Sequence, residues 1–340
     1  MKVILRSDGN EEIGYGHLSR LNSFADILGD EYEKIFLTKE DTNVAIIDKN
    51  VKIELISKGL TIDEEVNWIA DNFNPTNHII IADGYHFNSR YQKLIKKNGY
   101  KLIYVDDMLS SYMYADCVIN HAIGVTKKQY FGEKYVCYYL GSKYALLRSS
   151  FLKASTSTIE RNINFQVAFV SFGGTDSSMI IKNAVNALLD FKRFTTINVV
   201  VGKSFNNLGI INFLKENKKV KLFIDINEET ICRIMKASDF AIVPSSTISY
   251  ELASSRCIIA SGYTTQNQFY IYEGLRKQNI IFEMGDISNF EEKDFYSQIE
   301  KVLSTSVSEI QNKIKNQIKL FDGKQKDRLI EIIESLIKPN

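Results

Sequence analysis

The chain has 340 residues, 44% of them apolar and 24% charged, with a formal net charge of +1. That length favours two globular domains over a single core, and the interspersed charges exclude the basic field of a nucleic-acid binder and the acidic block of a disordered tail. Four cysteines (Cys117, Cys137, Cys232 and Cys257) lack any CxxC spacing, which argues against a zinc site or a disulfide framework and for a reducing cytosol.

The first residues, MKVILRSDGN, turn polar too soon for a signal peptide. No apolar run reaches the ~18 residues of a membrane span, so a cytoplasmic protein without integral membrane association is expected. Strands are predicted at Val3–Leu5, Lys34–Leu37, Lys52–Ile56, Ile79–Asp83, Leu102–Asp106 and Cys117–Asn120, with helices at His17–Leu28, Glu64–Asn72 and Arg90–Lys97. A polar stretch, Lys153–Asn164, reads as a connector. The alternation then restarts. Strands are predicted at Gln166–Phe172, Ile197–Val201, Lys221–Asp225, Phe240–Pro244, Cys257–Ala260 and Ile280–Glu283. The intervening helices are Met179–Phe191, Ile210–Asn217, Glu228–Ala237, Ile248–Ser254, Phe269–Gln278 and Phe290–Leu303. Ser308–Lys338 is a broken helical pair around Asp322-Gly323, and its lysine-rich part, Lys313–Lys326, reads as a solvated face. Continuously apolar strands alternating with helices imply parallel sheets covered on both sides. The expected fold is α/β: two doubly wound, Rossmann-like domains with a cleft between them. Residues 1–152 form the first and 166–306 the second. A connector spans 153–165, and helices 307–340 are free to pack back on the first domain.

In such sheets ligands bind beyond the carboxyl ends of the strands, so chemistry is sought there. After the first strand come Asp8, then Gly14-Tyr15-Gly16-His17 and Arg20. Glycines let a ligand approach the backbone closely, and the helix start favours an electron-rich ligand and a neutral imidazole. His17 is therefore the candidate general base, with Asp8 orienting its ring; a tight turn with a satisfied histidine is the plain alternative. Asp83-Gly84-Tyr85 ends the fourth strand and offers an acid and a phenol. Asp106-Asp107 ends the next and reads as loop-fixing. His78, His86 and His121 read as packed or solvated.

In the second half, Gly173-Gly174-Thr175 forms a nest suited to phosphate, although GxGxxG and P-loop patterns are absent. Ser245-Ser246-Thr247 opens a helix whose Glu251 sits where it would accept ribose hydroxyls. Asn267 and Gln268 bring side-chain amides to another helix start. Each of these is also compatible with an ordinary cap or polar loop. No Asp-x-Asp triplet occurs anywhere in the chain, so helix N-termini are favoured over a metal for holding a diphosphate.

Taken in order, Ile13-Gly14-Tyr15-Gly16-His17-x-x-Arg20, Asp83-x-Tyr85, Val105-Asp106-Asp107, Leu140-Gly141-x-x-Tyr144-Ala145-Leu146-Leu147-Arg148, Ser171-Phe172-Gly173-Gly174-Thr175-Asp176, Tyr250-Glu251-Leu252-Ala253, Asn267-Gln268 and Phe321-Asp322-Gly323-Lys324 resemble the UDP-2,4-diacetamido-2,4,6-trideoxy-β-L-altropyranose hydrolases of pseudaminic-acid biosynthesis. The resemblance spans nearly the whole chain. That family is similar in turn to the UDP-N-acetylglucosamine transferase of peptidoglycan synthesis, with its GT-B architecture. It implies UDP held by the second domain, no metal or cofactor, and inverting C1–O cleavage by water activated at His17. The catalytic set would be His17, Asp8 and Tyr85. Gly14, Gly16, Arg20, Gly173, Gly174, Thr175, Ser245, Ser246, Thr247, Glu251, Asn267 and Gln268 would hold the substrate. The expected partner is a UDP-sugar and the expected state a monomer or weak homo-oligomer. A GT-B glycosyltransferase acting in surface-polysaccharide synthesis shares every one of these nucleotide features. Three departures stand out: Gln266 where the family has an acid, Ser255-Arg256-Cys257 for Gly-x-Pro, and Gln325 for a glycine.

Overall fold

The computed structural model describes residues 1–157, 163–172, 178–203 and 205–337. It divides into unit 1, Met1–Ser149 with Lys324–Asn340, and unit 2, Ser150–Gly323.

Unit 1 is built on a parallel seven-stranded sheet. Its strands are β1 (Lys2–Arg6), β2 (Glu33–Lys39), β3 (Lys52–Ile56), β4 (His78–Asp83), β5 (Lys101–Val105), β6 (Cys117–Asn120) and β7 (Cys137–Leu140), in the spatial order β3-β2-β1-β4-β5-β6-β7. Every residue of β4 is buried, as a central strand covered by helices on both faces requires. The strand order reverses between β1 and β4, so the chain leaves these neighbours in opposite directions and opens a crevice at their carboxyl ends. The helices are α1 (Gly16–Leu28), α2 (Ile62–Asn72), α3 (Ser89–Lys97) and, from the far end of the chain, α12 (Gln325–Ile337). The apolar positions Leu329, Ile332 and Ile333 of α12 are buried, and the helix packs on α1 and on the turn at Ser142–Tyr144.

Unit 2 repeats the design with six parallel strands: β8 (Val167–Val170), β9 (Thr196–Val201), β10 (Val220–Ile224), β11 (Phe240–Pro244), β12 (Ile258–Tyr263) and β13 (Phe282–Asp286), ordered β10-β9-β8-β11-β12-β13. Its switch point lies between β8 and β11. Around the sheet are α4 (Ser149–Ser155), α5 (Ser178–Asp190), α6 (Leu208–Glu216), α7 (Glu228–Ala237), α8 (Thr247–Ser254), α9 (Gln266–Lys277), α10 (Glu292–Leu303) and α11 (Val307–Leu320). Phe169's neighbours Ala168 and Val170, with Phe194, Phe240 and Phe295, are buried in the core beside them. Gly262 marks the bulge between β12 and β13; a Cβ there would stand 2.6 Å from the Gly285 carbonyl oxygen.

Several details depart from the sequence reading. Strand β7 has only partly buried or exposed positions, so it lacks the buried apolar run that marks the central strands. Part of the expected connector is helical: α4 ends at Ser155 and belongs to unit 2. Lys313 is not on a solvated face. Its ammonium is buried and donates to Asn279 Oδ1 at 2.6 Å and to the Ile281 carbonyl at 2.9 Å, which ties α11 to unit 2. Arg256, one of the departures from the family pattern, is buried at a left-handed φ of 61°. Its guanidinium donates to the carbonyls of Ala253, Ser155 and Phe321, at the carboxyl ends of α8, α4 and α11. Those ends carry partial negative charge and orphan acceptors, which suits a cation. No helix among the described residues is long and apolar enough to cross a membrane.

Candidate active site

The crevice end of unit 1 carries a cluster of largely buried charged side chains. His17, the second residue of α1, is buried. Its Nδ1 lies 2.7 Å from Oδ1 of Asp83, the last residue of β4. Arg20, one turn along α1 on the same face, donates from Nε to Asp83 Oδ2 and from Nη2 to Asp83 Oδ1, both at 2.7 Å. Its Nη1 donates to Asp107 Oδ2 at 2.7 Å, and its Nη2 also lies 2.7 Å from His17 Nδ1. Tyr85 stands edge-on to the His17 ring with centroids 4.5 Å apart, and half of the tyrosine is exposed. Burial alone would lift the Asp83 carboxyl, but the charge and hydrogen bonds of Arg20 and the bond to His17 hold it below the usual carboxylate range.

The loop before α1 is fixed from within. Asn10 Oδ1 accepts from the backbone N–H groups of Glu12 and Ile13, and Gly14 N–H donates to the Asn10 carbonyl at 2.8 Å. Gly14 takes a φ of 83°, which a side chain would resist. Tyr15 supplies no side-chain cap bond to α1, and Ser246 supplies none to α8. By contrast Thr61, Asn88, Asn207, Asn227 and Ser306 each accept a cap bond at their helices. The first N–H groups of α1 and α8, two helix starts at candidate sites, thus receive no side-chain cap from the N-cap residue.

Asp8 does not orient His17. Its carboxylate accepts from Arg6, from Thr38 Oγ1 at 3.1 Å and from the Lys39 backbone N–H at 2.8 Å, and lies 3.3 Å from His86 Nε2. Arg6, fully buried, makes a second, bidentate pair with Glu65 of α2 at 2.8 and 2.9 Å. The ring partner is Asp83 instead, because β4 and not the end of β1 faces the start of α1. Asp106 fixes its loop, accepting from Tyr130 Oη at 2.7 Å and from the N–H groups of Met108 and Leu109. Asp107, treated in the sequence as part of the same device, turns to Arg20. The i, i+3 spacing of His17 and Arg20 was the available signal for this cluster.

In unit 2, Ser245 is fully buried, with its hydroxyl 2.8 Å from Ser261 Oγ; it faces the interior rather than a ligand, a correction to the phosphate-holding role expected of it. Ser246 and Thr247 stay partly exposed at the start of α8, and Glu251 is buried one turn on. Gln268 spends its carbonyl oxygen on its own turn, accepting from Thr264 N–H at 2.9 Å. Gly173, Gly174, Thr175 and the Asn267 side chain lie outside the described residues.

His121, after β6, is buried and its imidazole is pushed down to about 4, by burial first and then by the Arg20 charge, against the pull of Asp107 and Asp83. An unfolded histidine titrates near ~6.5. The unfolded chain therefore binds this proton first, and stability falls as the pH drops from about 6.5 towards 4, by roughly 3 kcal/mol in all. Replacing His121 by Gln should flatten the denaturant midpoint against pH across that window; an unchanged slope would assign the acid sensitivity elsewhere.

No family model matches the sequence. The chain is 31% identical over 254 residues to an uncharacterized protein of Methanocaldococcus jannaschii, a match covering 71% of this chain and 51% of that one. It thus spans about half the length of that relative. It is 28% identical over 255 residues to the UDP-2,4-diacetamido-2,4,6-trideoxy-beta-L-altropyranose hydrolase of Campylobacter jejuni, covering 73% and 86% of the two chains. Among solved structures, Acinetobacter baumannii MurG superposes with a TM-score of 0.63 at 9% identity over 98% of this chain and 99% of that one. A UDP complex of Staphylococcus aureus MnaA gives 0.61 at 11%, covering 99% and 97%. At such identities the likeness is one of fold: the two parallel-sheet units are those of the GT-B enzymes.

Proposed function

We propose that this protein hydrolyses a UDP-linked diacetamido-trideoxy sugar to UDP and the free sugar, 2,4-diacetamido-2,4,6-trideoxy-L-altrose, as a step of nonulosonic (pseudaminic) acid biosynthesis. One observation carries the reading: a buried imidazole at an uncapped helix start, at the switch point of a parallel sheet, held by a carboxylate and bordered by an exposed phenol. The Campylobacter relative, which acts on such a sugar, supplies the substrate class.

Hydrolysis needs a base within hydrogen-bond reach of water, and His17 Nε2 is the ring atom not engaged by Asp83. Water attacks C1, the C1–O bond breaks with inversion, and the electron pair leaves with UDP. The attacking water's proton passes to His17 and then to solvent. Charge growing on the diphosphate needs fixed donors; the backbone N–H groups at the start of α8, with Ser246 and Thr247, are the described candidates. Glu251 is assigned to the ribose. A metal has no part in this reading, since the chain lacks an Asp-x-Asp triplet.

The test is direct. The protein is incubated with UDP-diacetamido and UDP-acetamido sugars, without acceptor and with excess chelator, and NMR follows the anomeric signals. Free sugar with inverted configuration supports the proposal. UDP release that requires an added acceptor would make the protein a glycosyltransferase, and sugar interconversion with UDP still attached would make it an epimerase.

A further inference from the structure

Three groups converge on one point inside unit 1. His17 Nδ1, Asp83 Oδ1 and Arg20 Nη2 lie 2.7 Å from one another in all three pairings. Only certain proton placements make such a triangle stable. A carboxylate oxygen only accepts, and a guanidinium nitrogen only donates. The imidazole nitrogen does one or the other according to its tautomer.

Suppose Nδ1 were bare. Its lone pair would then face the lone pairs of an anionic oxygen at 2.7 Å, well inside contact distance, while accepting from Arg20. Suppose instead that Nδ1 carries the proton. It then donates a charge-assisted bond to Asp83, and its unfavourable neighbour is a guanidinium nitrogen. Arg20 does not depend on the imidazole for a partner. Nε and Nη2 already donate to Asp83, and Nη1 donates to Asp107. Asp83 is fully buried, so its oxygen cannot recover a lost bond from water, whereas Arg20 has acceptors at each of its nitrogens. The balance favours the proton on Nδ1.

We infer that Asp83 is the positioning residue of the site: clamped by the Arg20–Asp107 pair, it holds His17 as the Nδ1–H tautomer and leaves Nε2 bare to take a proton. Arg20 thereby fixes a carboxylate rather than a substrate. Its fork matches both oxygens of Asp83 in a geometry that a lysine would not reproduce. The catalytic part of the inference rests on His17 being the base; the tautomer does not.

The two parts are tested separately. The full chain has four histidines, so selective ¹⁵N-histidine labelling with long-range ¹H–¹⁵N correlation resolves the His17 ring, assigned by its loss in His17→Asn. The wild-type protein should show Nδ1 protonated and Nε2 bare near neutral pH. Nε2 protonated would overturn the inference, whatever the enzyme does. In Asp83→Asn the carboxamide keeps its oxygen for Arg20 and turns its NH2 towards Nδ1, so the ring should switch tautomer. On the UDP-sugar turned over by the wild type, kcat should fall about 100-fold or more with KM within about threefold. If His17→Asn is inactive while Asp83→Asn keeps both tautomer and kcat, positioning fails and the base stands. If His17→Asn turns over normally, the base fails and the spectrum still decides the tautomer. Should Asp83→Asn not fold, the wild-type spectrum alone settles the proton's place.

Discussion

His17→Asn should lower kcat at least ~100-fold, the usual size of a general-base contribution, with little change in KM. The substitution is chosen for its fit. Asparagine is close to the near half of the imidazole in shape, and its NH2 group can donate to Asp83 as the ring does across 2.7 Å. The end of α1 and the Arg20 bridges to Asp83 and Asp107 then keep their partners. What disappears is the distal nitrogen, the only atom of the residue assigned to water. A loss confined to kcat is the signature of an interaction made in the transition state. Rates of UDP release at saturating and limiting substrate separate the two constants. Near-normal turnover would remove His17 from the chemistry and, with it, the main reason to read unit 1 as the half that activates water.

The second large effect concerns folding. Arg6→Met should destabilise the protein by about 3–5 kcal/mol. Arg6 is fully buried at the end of β1, between Glu65 on one side and Asp8 on the other, with its guanidinium carbon 5.0 Å from the centroid of the Phe87 ring. Methionine fills much of the volume but leaves two buried carboxylates without their cation. Burial acts to raise the Asp8 carboxyl, but the nearby His86 imidazole and the charge of Arg6 hold it far below the ordinary range. The free carboxyl titrates near ~3.9, so the contribution of Asp8 is complete above that pH and is lost only in stronger acid. For a unit of this size the expected fall in Tm is roughly 6–20 °C at neutral pH. Adding Glu65→Gln should recover part of it, because one stranded charge is removed. A midpoint within a degree of wild type would mean that water or rearrangement resolves the buried charges.

The central strands are legible because a parallel strand buried on both faces needs an unbroken apolar run, and residues such as Ile79–Ile81 supply one. Strand β7 sits at the sheet edge, where no such run is required. The loop and helix start around His17 could be read from glycine spacing. The partner of His17 could not: Asp83 is 66 positions away, and only the register of β1 against β4 brings the end of β4 to the start of α1. Asp8 was the nearer acid in sequence, and proximity along the chain misled. Arg6 follows an apolar run directly, but its burial depends on Glu65, which lies on a helix whose docking no local pattern specifies. Among the consecutive hydroxyls at Ser245–Thr247, the sequence does not say which one turns inward to Ser261. Lys313 looks like a surface lysine in every local respect; two acceptors from the turn before β13 make it an internal tether.

The order of the pieces along the chain has a consequence for how the molecule is made. Unit 1 receives its last helix, α12, only after the whole of unit 2. During synthesis, the seat that takes Leu329, Ile332 and Ile333 is therefore finished early and left uncovered while more than a hundred residues emerge behind it. A nascent chain in that condition carries an exposed greasy patch, a natural client for a chaperone and a starting point for mispairing between neighbouring ribosomes' products.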